Sequence, residues 1–285
     1  MANTELIFVS GKGGTGKSAV AAAIAISRAR TGQSVLAIDM GVGAGLAAHL
    51  RRGALSYKPT EVRPGLFAME MDRARALDEY IKLQIRAPQG IPTRQLSAAL
   101  SVLAETAPGV REIISIGKPM HEVWRGAWDA VIVDAQSLGQ FQSYIDAPAT
   151  ISGLVPTGTV RRQADKLAVT LRDPNTTTVI LVSTPAELPV NETSEAVVHL
   201  TAEHRVPRPK VVMNRVLPES GLAEGDLGAL PAGPWHDAAS HQLALEEEQD
   251  HWLGALRADR SLPYLRGVFT PEEVALHLAD DLEEP

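Results

Sequence analysis

Cysteine is absent from this 285-residue chain, which excludes disulfides, thiolate-bound zinc, iron–sulfur clusters and thiol nucleophiles. Aromatic residues are scarce, at 4%, so the core has to be built from Ala, Leu, Val and Ile. Long apolar runs are missing too. The stretch Ala19–Ile26 is the longest, far short of the roughly 20 residues that span a bilayer. The chain enters a strand-like segment almost at once, with no recognisable leader ahead of it, and a cytoplasmic protein is expected. Positive charge is in deficit: 27 Lys and Arg stand against 34 Asp and Glu, a net charge of −7. Nucleic-acid coats and binders of anionic membranes need clustered positive charge, so neither a nucleic-acid partner nor an integral membrane segment is expected.

What is present is an ordinary globular composition, 45% apolar and 21% charged. Short apolar runs alternate with helix-forming stretches. Leu6–Val9, Ser34–Ile38, Leu66–Met71, Ala130–Val133, Thr178–Ser183 and Val211–Met213 read as about six buried strands. The Ala-rich segment up to about Arg30 reads as a helix stopped at Gly32. Continuous apolar strands separated by helices predict an α/β fold, a mostly parallel central sheet with helices on both faces. Residues from about 72 to 125 break this rhythm and read as a helical insertion, with Leu96, Leu100 and Leu103 sharing one helical face. Residues 217–239 read as a loop, and about 240–257 as a helix with an acidic face at Glu246–Glu248.

Between the first strand and the first helix lies Gly11-Lys12-Gly13-Gly14-Thr15-Gly16-Lys17-Ser18, which fits the phosphate-loop spacing in the context that spacing requires. Glycines allow backbone N–H groups to approach phosphate oxygens closely, and the following helix aims its positive end at them. Lys17 then reaches the outer phosphates, and the Ser18 hydroxyl ligates Mg²⁺. Lys12 is a further cation that such a loop does not need. It reads either as a solvated lysine or as one that crosses a dimer interface to neutralise the partner's nucleotide.

Lys12–Ser18 resembles the deviant Walker A motif of the ParA, MinD and ArsA group of dimeric ATPases. Trp128–Ala135 followed by Gly139 resembles the Walker B and switch II segment of ArsA-type ATPases, the branch that includes arsenite-pump ATPases and the ATPases that deliver tail-anchored proteins. Thr184–Thr193, Ala107–Glu112 and Val212–Arg215 are similar to the same branch. The resemblance implies one P-loop ATPase domain over residues 1–285, with ATP and Mg²⁺ as ligands. It implies a trans-acting role for Lys12 and phosphate contacts from Gly13, Gly14, Thr15, Gly16, Lys17 and Ser18. Asp134, with Ser18, would hold Mg²⁺, the carboxylate acting through water. Asn214 and Arg215 would meet the base, and Pro263–Leu265 would form its other wall.

The chain also departs from that family. Its switch I carries a water-orienting Asp, and counting back from Leu46 puts that position at Gly41, within Ile38-Asp39-Met40-Gly41-Val42-Gly43-Ala44-Gly45-Leu46. Asp39 could act catalytically only if the loop shifted by two residues. Ser137 and Gln140 stand at the Pro and His positions of switch II. Positioning supplies most of the catalysis of phosphoryl transfer, so a factor of about 10²–10⁴ is at stake. The absence of cysteine removes the family's arsenite ligands and its zinc-bound dimer clamp. His236, His241 and His251 lack the i, i+4 spacing of a helical metal site.

The expectation is therefore a dimeric Mg-ATP switch that hydrolyses ATP slowly or with a partner subunit. It would form a homodimer or a heterodimer with an ArsA-like paralogue, with a protein client possible. The alternatives are a ParA- or MinD-like positioning ATPase and a non-hydrolysing ATP-binding scaffold. The C-terminal residues 271–285 hold six acidic residues and no Lys or Arg, which disfavours the basic amphipathic anchor that a MinD-like protein uses.

Overall fold

A computed structural model describes residues 4–41, 43, 45–50, 53–84, 109–202, 204–268 and 270–283. Eight strands form a single sheet: β1 (Glu5–Gly11), β2 (Val35–Asp39), β3 (Thr60–Arg63), β4 (Leu66–Glu70), β5 (Ala130–Ser137), β6 (Thr177–Ser183), β7 (Lys210–Val216) and β8 (Arg260–Pro263). Their order is β3-β4-β2-β5-β1-β6-β7-β8. Every neighbouring pair is parallel except β3 with β4. The middles of the central strands are continuously apolar because helices cover both faces.

The helices are α1 (Lys17–Arg30), α2 (Gly45–His49), α3 (Arg73–Gln84), α4 (Val110–Arg125), α5 (Leu138–Leu154), α6 (Thr159–Arg172), α7 (Glu187–Ala202), α8 (Glu224–Leu227), α9 (Pro234–Ala255) and α10 (Pro271–Glu283). On one face, α1 is buried over all of Ala19–Ile26, not just along a stripe. The sheet lies on one side of it, and Ala275, Leu278 and Ala279 of α10 close the other. Alanine makes this possible, since small side chains let a helix sit between two neighbours at close range. The second face packs Ile116 and Met120 of α4, Phe141 and Ile145 of α5, Leu167 of α6 and Ala196 of α7 against Phe8, Val131 and Val133.

The α/β architecture expected from the sequence is the one found, with two differences in strand count. β3 and β8 are the edge strands, partly or largely exposed over most of their length, and they carry no continuous apolar signal. The segment read as an insertion also differs. Its last part, α4, belongs to the sheet's own cover through Ile116 and Met120. Leu96, Leu100 and Leu103 lie outside the described residues. The long acidic helix begins at Pro234, earlier than expected, because a proline at the first helical position suits a helix start. The basic group Arg161, Arg162 and Lys166 on α6 is locally engaged: Arg161 pairs with Asp165 at 2.9 Å, Arg162 donates to Thr159 Oγ1 at 3.0 Å, and the Lys166 ammonium lies 3.6 Å from the Trp124 ring centre.

A charged network anchors α3 and α4 beside the β2–β4 side of the sheet. Glu122 is fully buried and accepts from Lys118 Nζ at 2.8 Å and from Trp128 Nε1 at 3.1 Å. Lys118 also reaches Glu79 at 2.9 Å, and the Tyr57 hydroxyl donates to Glu79. Removing one member of a buried pair strands the other charge. Lys118→Met is therefore expected to lower the unfolding free energy by about 3 kcal/mol, seen as a lower denaturant midpoint at unchanged m-value. Adding Glu122→Gln should recover much of the loss; no recovery would show that the network is not coupled.

Candidate nucleotide-binding site

Every element of the site meets at the carboxyl ends of the parallel strands. β1 ends in the glycine loop, which folds on itself: the Lys12 carbonyl accepts from the Thr15 hydroxyl at 2.9 Å and from Lys17 Nζ at 3.2 Å. Gly16 has φ +92°, and a Cβ there would lie 2.4 Å from Asn214 Nδ2, so only glycine fits. That approach lets the Asn214 amide donate to the Thr15 carbonyl at 2.9 Å, tying the loop to the end of β7. Gly45, the first residue of α2, leaves no room for a Cβ beside the Ser18 hydroxyl, 2.7 Å away.

Two carboxylates stand next to this loop. Asp39 ends β2 and is the in-register partner of Asp134 in β5. Both are almost fully buried. Burial pushes Asp134 up to about 7, and the neighbouring Asp39 charge adds to this, while the Ser18 hydroxyl and Lys17 work in the opposite sense. Burial also raises Asp39, offset by the backbone N–H groups of Gly41 and Leu46. These donate to its two oxygens at 2.8 and 3.4 Å, so Asp39 shapes the loop after β2. A Cβ on Gly41 would stand 3.1 Å from Asp39 Oδ1, which makes a side chain at that position tight. Burial lowers the Lys17 ammonium, and Asp134 partly restores it.

Two adjoining clefts result. One, of about 660 Å³, is lined by Gly14, Gly16, Lys17, Ser18, Asn214, Arg215 and Pro263 among others, a volume typical of small-molecule sites. The other, of about 310 Å³, contains Lys17, Ser18, Asp39, Gly41, Asp134 and Gln136. Most of the residues singled out in the sequence thus converge. Thr15 is buried and serves the loop's own shape. Arg215 holds a left-handed backbone at φ +60°. Lys12 is ion-paired with Glu192 of α7 in the same chain.

Three contributors were not evident from sequence. Glu192 sat in a recognised segment, but nothing in its spacing paired it with Lys12. Gln136, whose amide donates to the Met40 carbonyl at 2.8 Å, carries no pattern signal. His49 lines the larger cleft through tertiary placement alone, beside Tyr264 of the expected Pro263–Leu265 wall. Among the described residues, no group of three or more His, Cys, Asp or Glu could hold a metal by itself. The donor set at the loop is a hydroxyl beside a carboxylate, which suits Mg²⁺ completed by phosphate oxygens and water.

The Anion-transporting ATPase (ArsA) family profile matches residues 4–158 and 154–226. The chain belongs to this family. It is 32% identical over 249 residues to ATPase BagA of Mycobacterium tuberculosis, covering 80% of this chain and 72% of that protein. It is 24% identical over 246 residues to ATPase get3 of Schizosaccharomyces japonicus, with 74% of each chain covered. It is 23% identical over 252 residues to ATPase GET3 of Chaetomium globosum, covering 74% and 72%. Membership in the ArsA family implies nucleotide binding. Among the described residues, no helix is long and apolar enough to cross a membrane.

The buried carboxylate pair gives this ArsA-family chain a pH signature of its own. In the free protein Asp134 keeps its proton up to about pH 7, whereas an unfolded Asp releases it near pH ~3.9. Folding then takes up a proton between these values, so this group's contribution to stability falls as pH rises from about 4 to about 7. Asp134→Asn cannot ionise. Without nucleotide or Mg²⁺ it is expected to flatten that decline and to exceed wild type in stability at pH 8, on the order of a few kcal/mol, measured by denaturant unfolding from pH 5 to 8. Parallel curves for the two proteins would refute the assignment.

Proposed function

We propose that this chain is a Mg-ATP-binding dimeric switch of the ArsA type whose hydrolysis is slow or dependent on a partner subunit. The observation that carries the reading is the convergence of the glycine loop, the Asp39–Asp134 pair and the Asn214–Arg215–Pro263 wall on two adjoining clefts that share Lys17 and Ser18. In this reading the phosphates rest on the loop N–H groups and the positive end of α1. Lys17 neutralises the outer phosphates, the Ser18 hydroxyl ligates Mg²⁺, and Asp134 orients water on it. Asn214 is held on Thr15 by one donor, which fixes its amide plane for the base edge. Bound Mg²⁺ supplies charge neutralisation of the transferring phosphoryl group.

Lys12 is the proposed contact to the partner's nucleotide, and it would have to leave Glu192 to make it. Slow turnover follows from switch I: Gly41 has no side chain, and the Asp39 oxygens already accept from the Gly41 and Leu46 N–H groups. The C-terminal helix does not favour the MinD-like alternative. Glu272 of α10 pairs with Arg63 at 2.6 Å, and Asp280 pairs with Arg30 at 2.6 Å, so the acidic residues fasten the helix to the body.

Light scattering tests the switch. Mg-ATP is expected to convert wild type from monomer to dimer, or to a mixed dimer with an added paralogue, and to leave Lys12→Ala monomeric. A wild type that binds Mg-ATP yet keeps its size would overturn the dimeric reading. Turnover tests the catalytic deficit. Because the Asp39 carboxylate would repel a second carboxylate at position 41, the restoring variant is Gly41→Asp with Asp39→Asn, expected to raise the rate at least tenfold, a part of the ~10²–10⁴ that a positioned base supplies. Wild type alone already turning over at about 1 s⁻¹ or faster would show that nothing is missing.

A further inference from the structure

His49 closes α2, four residues after Gly45, and its Nδ1 lies 2.7 Å from the Gly45 carbonyl oxygen. A ring nitrogen facing a carbonyl has to carry the hydrogen, so Nδ1 is the protonated nitrogen of the neutral ring. Burial disfavours the charged imidazolium, and the neutral ring leaves Nε2 bare. With one edge of the ring turned into its own helix, the Nε2 edge points away from that helix. His49 lines the cleft that also holds Lys17, Ser18 and Arg215. Nε2 is therefore a hydrogen-bond acceptor in a cleft where Lys17 and Arg215 offer donors only.

The position of His49 selects its ligand. Its helix begins at Gly45, packed on the Ser18 hydroxyl, at the phosphate end. The proposed base wall, Asn214 with Pro263, comes from the ends of β7 and β8, and the Asn214 amide is held by the loop. A nucleotide running from the one to the other places its sugar between them, and the sugar's donors are its hydroxyls.

We infer that His49 Nε2 accepts a hydrogen bond from a ribose hydroxyl, so that this chain selects ribonucleotides over their deoxy counterparts. The inference rests on the nucleotide reading above and adds a specificity residue to it.

Calorimetric titration with ATP, 2′-deoxy-ATP and 3′-deoxy-ATP, each with Mg²⁺, tests it. Wild type is expected to bind ATP about five- to tenfold more tightly than one of the two deoxy analogues, the size of one neutral hydrogen bond. His49→Ala should lose that preference while binding the disfavoured analogue as wild type does. His49→Phe keeps the ring's bulk and should behave alike, so a folding defect in one variant does not decide the matter. Equal binding of all three nucleotides by wild type would overturn the inference. So would a preference that survives in both variants, or a loss shared equally by all three ligands, which would put Nε2 on a phosphate. Failure of the underlying reading looks different: wild type would give no heat with ATP, or Lys17→Ala would bind as well as wild type, and both proposals would then fall.

Discussion

In-register parallel pairing sets Asp39 at the end of β2 beside Asp134 in β5, while β1, paired to the other edge of β5, ends in the glycine loop. Much of the site is a consequence of these two pairings. Slipping β2 by one residue against β5 would turn Asp39 to the opposite face of the sheet and bring an apolar side chain to the cleft. The register is enforced from below. Leu36 and Ile38 of β2 pack on the α4–α5 face with Val131 and Val133 of β5, and Val35 and Ala37 pack on the α1 face with Ala130 and Ile132. Alternating core contacts on both sides hold two carboxylates at a depth where neither would settle alone.

Holding them there has an electrostatic cost, met in the free protein by the proton that Asp134 keeps up to about pH 7. Burial raises both carboxyl groups, and the nearby Lys17 ammonium is itself lowered by burial. Such a site favours a ligand that brings its own cation together with anionic oxygens. A magnesium–phosphate pair would do that, the metal offsetting the carboxylates and the lysine the phosphates. The same logic extends to Lys12, whose partner within this chain is Glu192. Both members of that pair are partly exposed, so breaking it costs little.

Legibility in the sequence followed the strength of the local signal. The glycine loop stood out because its spacing, flanking strand and helix all agree. The central strands stood out because burial on both faces makes them continuously apolar. β3 and β8 did not, since edge strands answer to solvent on one side. The departure at Gly41 could be counted from Leu46, yet the crowding of that position by Asp39 is a three-dimensional fact. Asn214 was assigned to the base by the resemblance of Val212–Arg215 to the ArsA branch; its bond to the Thr15 carbonyl appears only once β7 and the loop are brought together. The stripe at Leu96, Leu100 and Leu103 lies outside the described residues and stays an expectation.

The amino-acid order alone determined the α/β class, the phosphate loop, the exclusion of cysteine chemistry and the resemblance to the ArsA family, because each of these is written in residue type and short-range spacing. Tertiary structure decided the rest: that Asp39 supports a loop, that Lys12 rests on Glu192, and that His49 lines the same cleft as Lys17 and Ser18. Those contacts join residues whose separation along the chain runs from a few positions to 180, and only the packing of helices onto a registered sheet sets such distances.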